Sequence, residues 1–276
     1  MNIAQNLRQA SRRGALVGAR GVYAVSGATR QAYAAPGIAT LLLHESPEDD
    51  VERLLRHVRR HRDRYVDFAE LDHLIDGEVE PSSTQITITF DDGLASNVLA
   101  ARALAAEGVQ ACFYVPTDAI GMAPHEADVF FRRRPVRQRR YKPSEPVMRW
   151  SDLEEIVSLG HVVGSHCRQH VPLVSMGLAE AEDQVKGSLA VLRERLGDAR
   201  HFAWPFGGLG HAPVDDVVRW CADVAAVAAS GVRGHNTTAT YARNRYVMRD
   251  AVDYGWLATD LDVFFGRRAK SLSVPS

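Results

Sequence analysis

The sequence predicts an α/β protein whose parallel sheet closes into a barrel. Three observations carry this. Short apolar runs alternate with longer segments of helical periodicity from about residue 38 onward, and strands that alternate with helices pair in parallel. The alternation repeats many times without a Gly-rich phosphate loop, which favours a barrel over an open nucleotide-binding sheet. With 276 residues, 46% of them hydrophobic, the chain can bury one large core.

The elements follow in order. "GIATLLLH" reads as a buried strand ending at His44. Ser46-Pro47-Glu48-Asp49 opens a helix with a cap, an N1 proline and first-turn acids, and Val51, Leu54, Leu55 and Val58 follow at helical spacing. "ITITF" is a strand, and residues 94–107 form an Ala-rich helix closed by Gly108. "VQACFYV" is the next strand. Ser151 and Glu154 form a capping box for a helix that stops at Gly160. "HVVGSH" is a strand, residues 178–196 a long helix ended by Gly197, "HFAWPFG" a strand and turn, 213–222 a helix, and "VAAVAAS" the last of the series.

Composition narrows the function. A formal net charge of −1 gives no global pull toward nucleic acid or an anionic membrane. Cys112, Cys167 and Cys221 lie far apart with no CxxC pair, which argues against a disulfide scaffold and suits a reducing compartment. Residues 1–37 carry Arg8, Arg12, Arg13, Arg20 and Arg30 and no acid. Arg20 interrupts their small-residue stretch, a poor signal-peptide core. The expectation is a basic arm over 1–37, a barrel domain over 38–276, and a cytoplasmic protein with at most peripheral membrane contact.

Three motifs carry chemistry, each at a predicted strand end, where such barrels keep their active sites. In "TITFDDG" two carboxylates, Asp91 and Asp92, close an apolar strand. Like charges so close repel unless a cation or proton is shared, although Asp-Gly is also a common turn pair. In "GSHCRQHVPL", His166 and His170 stand four apart, a spacing that sets two imidazoles on one side of a helical turn. Two imidazoles with one carboxylate make a three-ligand divalent site with open positions, and the second carboxylate is then free to move protons. In "FAWPFGG", Pro205 fixes the backbone and Gly207-Gly208 allow close approach. The Phe206 amide can then point into the site, with Trp204 and Pro205 against a substrate; a buried aromatic turn is the plainer reading.

In this order and spacing, "ITITFDDG", "GSHCRQH" and "FAWPFG" resemble the NodB-homology polysaccharide deacetylases, carbohydrate esterase family 4. The resemblance covers roughly residues 38–250. It implies a single-domain distorted (β/α) barrel that hydrolyses an N-acetyl, or sometimes O-acetyl, group on a sugar. It also implies Asp91 as general base, Asp92, His166 and His170 as metal ligands, and the Phe206 N–H as oxyanion donor. The implied cofactor is a divalent cation, Zn2+ first, with Co2+, Ni2+ or Mn2+ as alternatives. Such a cation polarises an acetyl carbonyl and acidifies water.

Two departures refine the resemblance. Many members have Ser or Thr where this chain has Cys167, read here as a small buried residue. Many carry a base-orienting arginine where it has Ala203. That pattern resembles the branch acting on poly-N-acetylglucosamine, in which the general-acid histidine sits on the first strand. His44 fits that place, and Arg249 in "RYVMRD" is the candidate replacement for the arginine. The segment "FRRRPVRQRRYK", within an insertion over about 124–147, holds six arginines and one lysine. A charge run is usually a solvated loop; as a binding element, Arg132 and Arg133 would grip phosphate or uronate groups. The expected partner is an acetylated amino sugar, phosphate- or lipid-linked, and no nucleic acid. His57, His61, His73, His125, His161, His201, His211 and His235 read as ordinary. The rival readings are a non-catalytic glycan-binding protein, an O-acetyl esterase, a salt-sensitive nucleic-acid binder, and a metal-free hydrolase of non-sugar amides.

Overall fold

The computed structural model describes residues 27–132, 146–252 and 261–272. Seven strands form its sheet: β1 (Ile38–Leu43), β2 (Gln85–Phe90), β3 (Ala111–Val115), β4 (Val162–Ser165), β5 (His201–Ala203), β6 (Val227–Ala229) and β7 (Arg249–Ala251). They lie in the order β6-β5-β4-β3-β2-β1-β7, and every pairing is parallel. Val247, just before β7, makes a parallel bridge to Ala229 at the end of β6. Its N–H donates to the Ala228 carbonyl and its own carbonyl accepts from Ser230 N–H, at 2.9 and 2.8 Å. That junction draws the two edge strands together, so the sheet curls into the distorted (β/α) barrel that the sequence predicts.

The strands sort their side chains with period two. Ala39, Leu41 and Leu43, then Ile86, Ile88 and Phe90, then Ala111, Phe113 and Val115 face outward into the larger core under the helices. Ile38, Cys112, Tyr114, Ala203, Val227 and Ala229 share a smaller interior cluster. Thr87 and Thr89 also face in, where Thr87 Oγ1 donates to Thr40 Oγ1 at 3.0 Å.

The surrounding helices are α1 (Ala28–Ala34), α2 (Glu48–Arg60), α3 (Phe68–Ile75), α4 (Asn97–Ala106), α5 (Pro124–Arg132), α6 (Trp150–Ser158), α7 (Leu178–Leu196), α8 (Val214–Asp223), α9 (Thr238–Asn244) and α10 (Leu261–Leu272). No helix among the described residues is long and apolar enough to cross a membrane.

Three expectations change at their edges. Residues 94–96 do not begin α4, because Leu94 bridges Val147 and Ala95 N–H donates to the Pro146 carbonyl. Ser46 does not cap α2; its hydroxyl donates to Asn97 Oδ1 at 2.6 Å and ties the β1 exit to α4. The reciprocal cap of α6 forms two residues earlier than expected, with Asp152 accepting from Arg149 N–H at 2.8 Å. The arm also ends sooner than residue 37. Residues 28–34 are helix α1, whose Ala28, Ala32 and Tyr33 are buried and which packs along α10; residues 1–26 lie outside the described residues.

Candidate active site

The strand register sets the site. Leu43 pairs with Phe90, Val115 with Ser165 and Ser165 with Phe202, so His44, Asp91 and His166 are each the first residue beyond their strands. Parity then points them inward: Asp91 continues the Thr87–Thr89 row, and His44 and His166 follow outward-facing Leu43 and Ser165. Asp91 N–H donates to the Leu43 carbonyl at 2.8 Å, which locks this level of the barrel mouth.

Asp92, one residue on, reaches the same mouth by a backbone reversal. Its φ is +74° and that of Gly93 is +65°. Cys167, His170 and Phe206 also have φ between +52° and +66°. Left-handed backbone in non-glycine residues is costly and collects at functional sites; four of the six such residues among those described stand here.

The histidine pair converges, but not on a helical turn as its spacing suggested. Residues 166–170 form a loop, held by Gln184 Oε1 of α7, which accepts from the Arg168 and Gln169 amides. Thr117 N–H also donates to the Cys167 carbonyl at 3.0 Å. The two imidazole centroids lie 4.8 Å apart. Asp92 Oδ1 lies 2.8 Å from His170 Nε2 and 3.7 Å from His166 Nε2, and all three residues are buried.

This donor set suits a divalent cation. His166 Nδ1 lies 2.7 Å from the Ala203 carbonyl, which only accepts, so Nδ1 carries the proton and Nε2 turns its lone pair toward Asp92. Burial pushes the His166 pKa down to about 4 despite Asp91 beside it, which keeps the imidazole neutral, as a ligand must be. Cys167 is not part of the set. It is buried in the outer core, and burial pushes its thiol well above the ordinary range.

Asp91 is held from the opposite side. Arg249 donates from Nη1 to Asp91 Oδ1 at 2.5 Å and from Nη2 to Oδ2 at 3.0 Å, a bidentate fork. The guanidinium is itself fixed. Its Nε donates to the Ser230 carbonyl at 2.9 Å, and it lies over the Tyr114 ring, 4.7 Å from the centroid. Arg249 is 0% exposed. Burial alone would raise the Asp91 pKa, but Arg249, then His166 and His44, bring it below the ordinary carboxylate range. The replacement arginine read in "RYVMRD" thus sits on the carboxylate assigned as base.

No motif in the sequence marks Tyr114. A Cβ at Gly164, on the neighbouring strand, would meet the Tyr114 ring at 2.7 Å, so Gly164 makes the room in which Tyr114 supports Arg249.

The third motif divides. Phe206 is half-buried and its ring lies 5.2 Å from that of His170. Gly207 is indispensable to the turn, since a Cβ there would strike the Gly231 backbone at 2.5 Å. Trp204 does not reach the mouth. It is 0% exposed, packs into the outer core against Tyr246 at 5.3 Å, and donates from Nε1 to the Gly208 carbonyl at 3.2 Å. One residue past inward-facing Ala203, it has the wrong parity to meet substrate. Pro205 is buried with it.

Of the insertion, Arg132 ends α5, exposed and paired with Asp128 at 2.7 Å; Arg133 lies outside the described residues. Its neighbour Phe131, which the charge run obscured, is buried with its ring 5.5 Å from that of His170.

Comparison with known proteins agrees with this geometry. The family model for polysaccharide deacetylase matches residues 78–223, more than half of the chain. A search of curated proteins finds no match. Among solved structures, IcaB from Ammonifex degensii is similar with a TM-score of 0.65 at 18% identity, over 84% of this chain and 98% of that one. The BpsB deacetylase domain from Bordetella bronchiseptica gives 0.58 at 18% over 78% and 94%. Streptococcus pyogenes PplD, solved with acetate, gives 0.59 at 16% over 78% and 91%. With the family's motifs gathered at one barrel mouth, the chain belongs to the polysaccharide deacetylase family, the NodB-homology group.

Proposed function

We propose that the protein is a metal-dependent N-deacetylase of an amino sugar in a glycan or glycan precursor. The observation that carries this is the Asp91–Arg249 fork standing beside the Asp92–His166–His170 donor set. A binding module has no need of an ionised, oriented carboxylate next to a cation site.

Asp92, His166 and His170 would hold the ion, Zn2+ by their donor chemistry. A divalent ion there supplies Lewis-acid polarisation of an amide carbonyl and makes nearby water more acidic. The protein's own groups do the rest. Asp91 accepts a proton from the attacking water, and Arg249 keeps its two oxygens aimed and ionised. The Phe206 N–H donates to the developing oxyanion, a role worth about 3 kcal/mol in other acyl-transfer sites. His44, close enough for its charge to act on Asp91, returns a proton to the departing amine. Amide and water are consumed; acetate and a free amine leave.

The branch acting on poly-N-acetylglucosamine is supported by two positions: His44 beyond the first strand, and an arginine that reaches the base from β7 where the family's usual position is Ala203. The basic stretch from Arg132 onward favours a phosphate- or lipid-linked substrate.

Acetate release from N-acetylhexosamine compounds, free, nucleotide-linked and lipid-pyrophosphate-linked, and from O-acetylated sugars tests the reading. Assays run with and without Zn2+, beside Asp91→Asn. Metal-dependent release abolished by the substitution is expected. Glycan binding without release would move the assignment to the binding-protein reading, and release only from O-acetylated sugars would make it an esterase.

A further inference from the structure

Among the described residues a second group of two histidines and one aspartate has the same proportions as the first. His57 and His61 come from the end of α2, and Asp262 from the first turn of α10, about 200 residues away in sequence. Asp262 Oδ1 lies 2.9 Å from His61 Nε2 and 3.6 Å from His57 Nε2. In the active site the corresponding distances are 2.8 and 3.7 Å. Tetrahedral Zn2+ with bonds near 2.0–2.1 Å separates its ligands by about 3.3 Å, so both groups bracket that spacing.

The place is unrelated to deacetylation. Helix α2 starts beside the carboxyl end of β1 and runs back, so His57 and His61 lie at the amino ends of the strands. Tyr65, in contact with His57, bridges Ile86 at the start of β2.

The surroundings suit a ligand. His57 is buried, stacked on Phe265, and both its nitrogens meet hydroxyls: Tyr65 Oη lies 2.6 Å from Nδ1 and Tyr33 Oη 2.8 Å from Nε2. Tyr33 gives its one proton to Asp262 Oδ1 at 2.8 Å. His57 Nε2 therefore donates to Tyr33 Oη when no ion is bound. An ion at Nε2 would displace that proton, and the imidazole would keep one on Nδ1, where the Tyr65 hydroxyl can accept it as the Ala203 carbonyl does for His166. Asp262 keeps Oδ2 on Arg60 at 2.6 Å, and its Oδ1, which accepts from Tyr33, is the oxygen that faces both imidazoles.

We propose that His57, His61 and Asp262 form a second divalent-cation site of Zn2+ type, which clamps α10, and through it α1, to α2. Three protein ligands leave one position for water. The ion staples segments at the two ends of the described chain, a structural use that metal sites serve by adding binding energy to the folded state.

The test uses the full chain, stripped by chelator and dialysed against Zn2+, with bound metal counted by mass spectrometry. The unaltered protein is expected to hold about two ions per chain and His166→Ala/His170→Ala about one, each near-tetrahedral in the Co2+ absorption spectrum. Adding Asp262→Asn to the double variant removes the last ion and its thermal stabilisation. Should the double variant fail to fold by circular dichroism, His61→Gln in the unaltered protein must lower the count from two to one. A double variant that binds no metal overturns the proposal, and so does a count indifferent to Asp262→Asn or His61→Gln. Neither result bears on whether the carboxyl-end site deacetylates.

Discussion

Among its described residues the barrel holds two His-His-Asp groups of nearly equal dimensions, one at each end, and they differ in what surrounds them. At the carboxyl end, Asp92, His166 and His170 share their pocket with a second carboxylate, Asp91, gripped by Arg249. At the amino end the polar neighbours of His57, His61 and Asp262 are two phenols and Arg60, and this guanidinium rests on the aspartate of the group itself. A donor set alone is therefore compatible with either a catalytic or a structural ion. What makes one end a candidate for catalysis is the spare base, kept ionised by a guanidinium forked onto its two oxygens.

The sharpest way to separate the ends is Asp91→Asn. Loss of the base is expected to lower kcat about 10³-fold, within the range for general base catalysis, while the Zn2+ count stays unchanged. A variant that loses metal as well as turnover would mean that Asp91 is a ligand, and the contrast between the ends would collapse.

Arg249→Met comes next. Removing one partner of a buried ion pair costs about 3–5 kcal/mol of stability, read as a lower urea midpoint. In the protein that remains folded, kcat/KM is expected to fall about 10²-fold through a misaligned base. The sign of the pH effect follows from the carboxylate. Arg249 depresses the Asp91 pKa, so its loss raises that pKa and moves the acidic limb of the activity profile to higher pH. Arg249→Lys restores the charge without the fork and should recover the limb more than the rate. An unmoved limb would assign Arg249 to packing only.

Tyr65→Phe probes the amino end in the same sense. It deletes the hydroxyl on His57 Nδ1, and outer partners of ligating histidines are worth about 10–100-fold in metal affinity. The loss should appear at the amino-end site only, by Zn2+ titration of His166→Ala/His170→Ala with and without the Tyr65 change. Equal affinity in both would show that His57 does not coordinate.

The two ends were unequally legible in the sequence. Asp91, Asp92, His166 and His170 could be read because the barrel register converts sequence order directly into place: each lies at or just past the end of its own strand. Arg249 could be named as a candidate but not seated, since its fork depends on Tyr114 and the Ser230 carbonyl, contacts made across the barrel interior. Trp204 reads as a substrate contact because it adjoins a motif, but proximity says nothing of parity, and one residue beyond Ala203 the side chain turns to the helices. The His57–His61 pair has the same spacing as the active-site pair, yet in the sequence it reads as ordinary. No apolar strand end marked it, and its third member lies on the C-terminal helix, which no local pattern connects to α2. Cα geometry cannot be inferred from a helical spacing either: the pair at 166 and 170 meets in a loop with left-handed backbone, whereas the pair at 57 and 61 meets at the end of a true helix.

The smallest expected effect tests the remaining difference, the cation already present. Arg60 pairs with Asp262 Oδ2 at 2.6 Å, yet its side chain is 46% exposed, and such exposed pairs contribute about 0–1 kcal/mol. Arg60→Gln should therefore leave the melting temperature of the metal-free protein nearly unchanged. A divalent ion on Oδ1, however, would lie close to that guanidinium and be repelled by it. Removing Arg60 is expected to raise Zn2+ affinity at the amino end a few-fold, more at low salt than at high because the site is only partly shielded from solvent. The carboxyl-end site, whose guanidinium is spent on Asp91, should not respond. If instead Arg60→Gln destabilises the metal-free protein and does nothing to Zn2+ binding, the amino-end group is a salt-bridge latch held by Arg60, and its likeness to the active site ends with the distances.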